Sequence, residues 1–355
     1  MKTKRIIGLM SGTSLDGLDI AYVLFSGERK TNFELRFSKT LEIPAAYKSQ
    51  LLEVDKLSGR QLYKLNRDLG YFYALSVNNF ILENGINKLE IDAIASHGQT
   101  IFHQPEEGFT VQLGCGSTLA YHTGIPVIND FRSLDVAAGG QGAPLVPLGD
   151  LLLFGTEADA FLNIGGFSNI SFQTPEGMKA YDIGPGNLPI NKYARLLGKE
   201  MDENGSIAAA QMPDENLIQS LNQLAYYKQS SPKSLGTEWL DQSFYPLIPK
   251  DISTETIISS ITKHVAIQIA QELNANQFKT VLVSGGGAFN KTLLTYIQSA
   301  FQGKLMLPEP KIIQFKEAII FAFLGFRFLE KEHNSLASVT GASLNVCGGA
   351  LHYPK

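Results

Sequence analysis

Cysteine is nearly absent from this chain of 355 residues: Cys115 and Cys347 stand far apart and outside any CxxC pair. That excludes a disulfide framework, signals no zinc site, and suits a reducing, cytoplasmic compartment. Charge of one sign is missing too. Thirty Lys and Arg against 34 Asp and Glu give a formal net charge of -4, and no basic cluster exceeds Lys2, Lys4 and Arg5. Neither a nucleic acid nor an anionic membrane is therefore indicated as a partner. Long apolar runs are missing as well: the one after the amino-terminal basic residues lasts about five residues, too short for a signal-peptide core. The longest, Ala318 to Leu329, contains Arg327 and reads as a buried helix, not a membrane span. No Walker A pattern occurs, so any phosphoryl transfer here is not of the P-loop type.

What is present is an ordinary globular composition, 44% hydrophobic and 18% charged, at a length suited to two domains. Residues 4 to 25 organise the rest. An apolar run from Ile6 to Met10 and another from Leu18 to Phe25 flank a short loop with glycines, predicting a hairpin. Phe33 to Leu41 alternates as a third strand, Ala46 to Leu57 and Gly59 to Leu82 have helical spacing, and Ile91 to Ser96 reads as a short strand. The pattern then returns: Ala158 to Ile164, Gly165 and Gly166, Phe167 to Phe172, Met178 to Ile183, and a helix from Asn187 to Leu197. A helix from Thr254 to Leu273, a β run from Thr280 to Ser284 and helices from Asn290 to Ala300 and Phe315 to Glu330 follow. The expectation is an α/β protein of two similar lobes with their glycine hairpins facing across a central cleft, residues 1–150 and 151–355, with the boundary near Leu148 to Glu157. Ser338 to Gly349 reads as a loop and short strand packing on either lobe.

Within nine residues the hairpin tip carries two glycines, three hydroxyls and two carboxylates, Asp16 and Asp19. Glycines let backbone N–H groups close on a polyphosphate, hydroxyls donate to it, and a carboxylate can hold magnesium. The plainer reading is a polar turn with local Asp and Ser bonds. Asp182, in Tyr181 to Asn187, stands at a strand end before a Gly-Pro-Gly-Asn turn and a helix. It suits a general base as well as a helix cap. Val283 to Asn290 fails the dinucleotide fingerprint, because Asn290 stands at the third glycine position, but Gly285, Gly286 and Gly287 still suit close approach to a nucleotide. Ser96 to Thr100 offers an imidazole, an amide and hydroxyls in one turn, and Asn129 to Asp135 adds Asp130, Arg132 and Asp135. Such groups suit a hydroxylated ligand such as a sugar, although each alone is more often structural. His97 and His103 lack a third ligand, and Glu317, on the first turn of its helix, reads equally as a terminal charge.

In this order, the stretches Gly8 to Asp19, Ser96 to Thr100, Asp130 to Arg132, Ala138 to Pro147, Leu162 to Gly166, Asp182 to Asn187, Gly285 to Asn290, Glu317-Ala318 and Ser338 to Ala342 resemble those of anhydro-N-acetylmuramic acid kinases from end to end. The resemblance implies the duplicated ribonuclease-H-like, actin-like ATPase topology. It implies a kinase that uses ATP and Mg2+ to convert 1,6-anhydro-N-acetylmuramic acid and water to N-acetylmuramic acid 6-phosphate in recycling of peptidoglycan sugar. Asp182 would be the base that directs water onto the anomeric carbon. Gly12, Thr13, Ser14, Leu15, Asp16, Gly17, Leu18 and Asp19 would hold the ATP phosphates, and Gly285, Gly286 and Gly287 the nucleoside side. His97, Gln99, Asp130, Arg132 and Glu317 look like the sugar-facing set, the metal ligands are unassigned, and a homodimer is implied.

Four positions depart from the family pattern. Ile183 replaces a threonine whose hydroxyl would touch phosphate or water, Asn191 and Cys115 each replace an aspartate, and Thr237 replaces an arginine. Besides the anhydromuramic acid kinase, two readings stay open: a kinase of a related amino sugar, and a non-catalytic nucleotide- or sugar-binding protein.

Overall fold

The computed structural model describes residues 3–12, 15–27, 32–155, 157–231 and 233–355. The chain folds into two compact units, Met1–Phe154 with Phe315–Lys355, and Gly155–Gln314. The sequence left Ser338 to Gly349 open and counted the helix from Phe315 to Glu330 with the second lobe; both belong with the first unit, because the chain returns to it at Phe315.

In the first unit, β1 (Lys4–Ser11), β2 (Leu18–Ser26) and β3 (Asn32–Leu41) form an antiparallel meander. β4 (Ala93–Gln104) lies parallel to β1, β5 (Phe109–Leu113) folds back on β4, and β6 (Val127–Asn129) lies parallel beyond it. In the second unit, β7 (Ala160–Ile164), β8 (Phe167–Thr174) and β9 (Gly177–Pro185) repeat the meander, and β10 (Thr280–Ser284) and β11 (Lys304–Met306) run parallel beyond β7. The spatial orders β3-β2-β1-β4-β6 and β9-β8-β7-β10-β11 coincide strand for strand. The first sheet is extended by β12 (Ala350–His352), antiparallel to β6.

β1 is apolar almost throughout because both of its faces are covered. Ile7 and Leu9 meet the helix Gly59–Glu83, which presents Leu65, Leu69, Tyr73, Val77 and Phe80 to them. That helix starts at a capping box, Ser58 accepting from the Gln61 N–H and the Gln61 side chain reaching back. On the opposite face lies the helix Pro310–Leu329, fully buried from Ala318 to Leu324. A side chain at Gly8 would run into the Ala318 carbonyl, and one at Gly325 would stand 2.5 Å from the Ala95 Cβ, so both glycines are required by the close approach of helix to strands. Among the described residues, no helix is long and apolar enough to cross a membrane.

The second core is built on β7 to β10 and the helix Thr254–Ala275, whose Ile257, Ile261, Val265, Ile269 and Leu273 recur at helical spacing. Three elements differ from the sequence expectation. β4 continues eight residues past Ser96, so Ser96 to Thr100 is strand and not a turn. Of its polar side chains, Gln99 is held by Ser11 and Gly12, and His97 accepts from Arg132 through Nε2. The last long helix begins at Pro310, which puts Glu317 beyond its first turn. A short helix, Ala337–Thr340, precedes β12.

Candidate active site

The loop leaving β1 begins at Ser11 and Gly12. Gln99, paired with Ser11 in the β1–β4 register, accepts from the Ser11 hydroxyl at 2.5 Å and donates from Nε2 to the Gly12 carbonyl at 3.2 Å. Thr13 and Ser14 lie outside the described residues. The Leu15 N–H then closes on the Gly12 carbonyl at 3.1 Å, with Leu15 at φ 58°. Asp16 is exposed, Gly17 sits against Thr40 and Leu41, and Leu18 is buried as the first residue of β2. Asp19 accepts from the Thr40 hydroxyl at 2.6 Å. Burial pushes the Asp19 carboxyl up, the Thr40 bond opposes this, and the nearby Asp16 charge adds to the rise.

On the same unit, Arg132 donates through Nε (3.1 Å) and Nη2 (2.9 Å) to His97 Nε2, and through Nη1 to the Gly142 carbonyl at 2.7 Å. His97 is 4% exposed, and burial, reinforced by the Arg132 charge, lowers its pKa to about 3. It is a neutral acceptor that orients the guanidinium. Burial also lowers Arg132 to about 10, with Glu317 and Asp135 opposing. Asp130 stands at φ 55° just after β6, where its carboxylate accepts from the Ser133 N–H at 3.3 Å. Glu317 keeps access to solvent, yet enough protein surrounds it that desolvation pushes its carboxyl up. Lys316 and Arg132 oppose the rise, and Asp19 and Asp150 add to it. The sequence named Asp135 among the groups suited to a hydroxylated ligand, but it is fully buried and ties the glycine-rich loop to the carboxyl-terminal segment. It accepts from the Gly142 N–H (2.8 Å) and from the hydroxyls of Ser335 (2.6 Å) and Thr340 (2.8 Å).

In the second unit, Asp182 lies at a bulge: Asn169 pairs with Asp182, but Ser168 pairs with Gly184, so Ile183 is the extra residue. Bulges re-aim side chains, and here the unpaired backbone is met from outside the sheet. The Asp182 N–H donates to the Lys233 carbonyl at 3.1 Å, the Tyr226 hydroxyl donates to the Asp182 carbonyl at 2.8 Å, and the Leu235 N–H donates to Asp182 Oδ2 at 2.8 Å. Burial raises the Asp182 pKa, and the Leu235 bond partly restrains the rise. Lys233 extends its ammonium over the Tyr226 ring, 5.0 Å from the centroid, and Tyr226 leans on Trp239 at 5.5 Å. Leu235 and Tyr226 escaped sequence reasoning, because one acts through a backbone N–H and the other lies 44 residues from Asp182.

The turn after β9 binds the β7–β8 hairpin: Gly186 N–H donates to the Gly166 carbonyl and Asn187 N–H to the Gly165 carbonyl, at 2.9 and 2.8 Å. Beside it, Gly285 (φ 81°) has no room for a side chain against Asn163 and Ile164, Gly287 is buried on Ile164, and Gly286 is exposed. This arrangement presents backbone for close approach by a ligand. Of the departing residues, Ile183 is 1% exposed inside the second core, Asn191 lies on the helix Asn187–Leu196, Thr237 is exposed, and Cys115 precedes the helix Gly116–Thr123.

A family model described as anhydro-N-acetylmuramic acid kinase matches residues 4–354. A protein of that name from Francisella tularensis subsp. novicida (strain U112) is 35% identical over 376 residues, covering 99% of either chain. One from Shewanella oneidensis is 37% identical over 367 residues, covering 97% of either chain. Another, from Methylorubrum populi, is 34% identical over 383 residues, covering 100% of both. A match from end to end at this identity leaves one conclusion: the chain belongs to the anhydro-N-acetylmuramic acid kinase family.

Proposed function

We propose that this sugar kinase takes 1,6-anhydro-N-acetylmuramic acid, ATP and water to N-acetylmuramic acid 6-phosphate and ADP, with Asp182 as the base. The observation that carries the proposal is the braced Asp182 carboxylate in a chain that matches the kinase family throughout. With Oδ2 holding the Leu235 N–H, Oδ1 is the more basic oxygen and takes a proton from water. The water oxygen bonds to the anomeric carbon, the bond from that carbon to the bridging oxygen breaks, and the freed O6 takes the γ-phosphoryl group as ADP leaves. Positioning and charge stabilisation supply most of the acceleration in such transfers.

The loop from Gly12 to Asp19 is assigned to the ATP phosphates, Gly285 to Gly287 to the nucleoside side, and Asp130, Arg132 and Glu317 to the sugar. Asp16 and Asp19 lie close enough for each charge to bear on the other. Such a pair fits Mg2+, which is held by one or two carboxylates together with substrate phosphates and neutralises phosphate charge. Cytoplasmic location belongs to the same proposal, since ATP is supplied there. Thr237, exposed on the segment that braces Asp182, favours a second reading in which a related amino sugar is the acceptor.

The test is an ADP-release assay with ATP, magnesium and a panel of anhydro and free amino sugars, with identification of the product. Formation of the 6-phosphate from the anhydromuramic acid alone supports the first reading. Preference for another sugar supports the second, and tight ATP binding with no turnover on any sugar overturns both.

A further inference from the structure

Gln99 carries the family resemblance of a sugar contact, yet it is buried and its amide hydrogens are both held by backbone. The side chain is 2% exposed. β4 slips by one residue against β1 here, Leu9 facing Ser96 but Ser11 facing Gln99, and Gly98 takes up the slip at φ 78° with the Leu113 carbonyl 2.7 Å from where a Cβ would stand. The slip sets Gln99 beside the end of β1. Its Oε1 accepts from the Ser11 hydroxyl at 2.5 Å, and its Nε2 donates to the Gly12 carbonyl at 3.2 Å and the Thr100 carbonyl at 3.4 Å. Both amide hydrogens are thereby engaged with backbone. The Gly12 carbonyl is also the acceptor on which the Leu15 N–H closes the loop.

We propose that Gln99 is a positioning residue of the loop after β1, fixing the point from which that loop departs, and is not a contact of the sugar. A buried amide that bonds two successive residues, one through its oxygen and one through its nitrogen, sets both the direction of the chain and the tilt of the Gly12 peptide. The inference rests on assigning the loop to the ATP phosphates, and it separates the loop from the sugar set along β4.

The test is steady-state kinetics with ATP and the sugar varied separately, on the full chain and on Gln99→Glu, Gln99→Met, Ser11→Ala and Gly17→Val, with thermal melting alongside. Gln99→Glu can still accept from Ser11 but cannot donate to Gly12, and Gln99→Met loses both bonds at similar volume. The expected result is a KM for ATP raised about tenfold in both Gln99 variants and less in Ser11→Ala, with the KM for sugar within about twofold. A rise in sugar KM alone, or no change in either KM, overturns the proposal. So does a loss that follows the melting temperature and shows no KM split. Gly17→Val, which crowds Thr40 and Leu41, reports on the loop itself: unchanged ATP KM there removes the loop from the ATP site, and any Gln99 effect with it.

Discussion

The Leu235 N–H meets Asp182 Oδ2 at 2.8 Å across 53 residues of sequence. Two residues earlier, the Lys233 carbonyl takes the Asp182 N–H at 3.1 Å. The segment thus pairs with the candidate base on both its backbone and its side chain. A carboxylate held this way loses rotational freedom before substrate arrives, which is how a fixed base gains its advantage over a mobile one.

Replacing Asp182 by Asn keeps an oxygen for Leu235 and removes the base. Product formation should fall by roughly 10² to 10⁴-fold. The Asp182 pKa is raised by burial, so the folded state favours the protonated form. Ionisation at neutral pH therefore costs stability, and the Asn variant should melt at or above the wild-type temperature there, with the difference shrinking on acidification. In the wild type, kcat should decline on acidification at a pH above the range of an unperturbed carboxylate. Full turnover in the Asn variant would remove Asp182 from the chemistry.

Tyr226→Phe deletes the hydroxyl that satisfies the Asp182 carbonyl at the bulge. The expected outcome is a kcat lowered about tenfold with both KM values nearly unchanged, because aim is lost and binding is not. Tyr227→Phe is the comparison, since that hydroxyl meets buried His264 at 2.8 Å. It should lower the melting temperature while sparing kcat.

Two buried imidazoles set an acid limit on stability. His97 and His264 are both lowered to about 3, chiefly by burial, whereas unfolded histidine titrates near 6.5. Their contribution is complete above the unfolded value and is lost as pH falls through it toward about 3, at about 1.4 kcal/mol per pH unit for each histidine. Urea unfolding at a series of pH values should show this slope, and His264→Gln should make it shallower.

Lys316 and Asp150 form an ion pair at 2.7 Å with side chains 7% and 4% exposed. Lys316→Met alone leaves a buried carboxylate without its cation and should cost roughly 3–5 kcal/mol in urea unfolding. Lys316→Met combined with Asp150→Leu should recover most of that loss. A double variant as unstable as the single one would mean that the site needs charge and not merely packing.

The meanders were legible because β1 and β7 alternate or run apolar between glycine turns, a signal carried by neighbouring residues. The second half of β4 was not. His97, Gln99 and Thr100 look like turn residues until their partners are known, and Ser11 lies 88 positions away from Gln99. Asp182 could be singled out from its strand-turn-helix setting, whereas the Leu235 brace could not, because a backbone N–H has no residue type to announce it. The sequence suggested that Ile183 costs the site a hydroxyl. At 1% exposure in the second core, it instead fills apolar space, which a substitution pattern alone cannot distinguish.

The meeting of Asp150 with Lys316 has an architectural consequence. The chain leaves the first unit after Phe154 and rejoins it at Phe315, and the ion pair holds residues beside the two junctions together. The second unit is thereby an insert of 160 residues, Gly155–Gln314, spliced between neighbouring positions of an otherwise continuous body. Joining Phe154 to Phe315 through a short linker would leave every strand of the first sheet, the helix Gly59–Glu83 and the Phe315–Leu329 part of the second covering helix covalently connected in their present order. A duplicated architecture can in this way be carried as one module interrupted by its copy, and not as two modules in tandem.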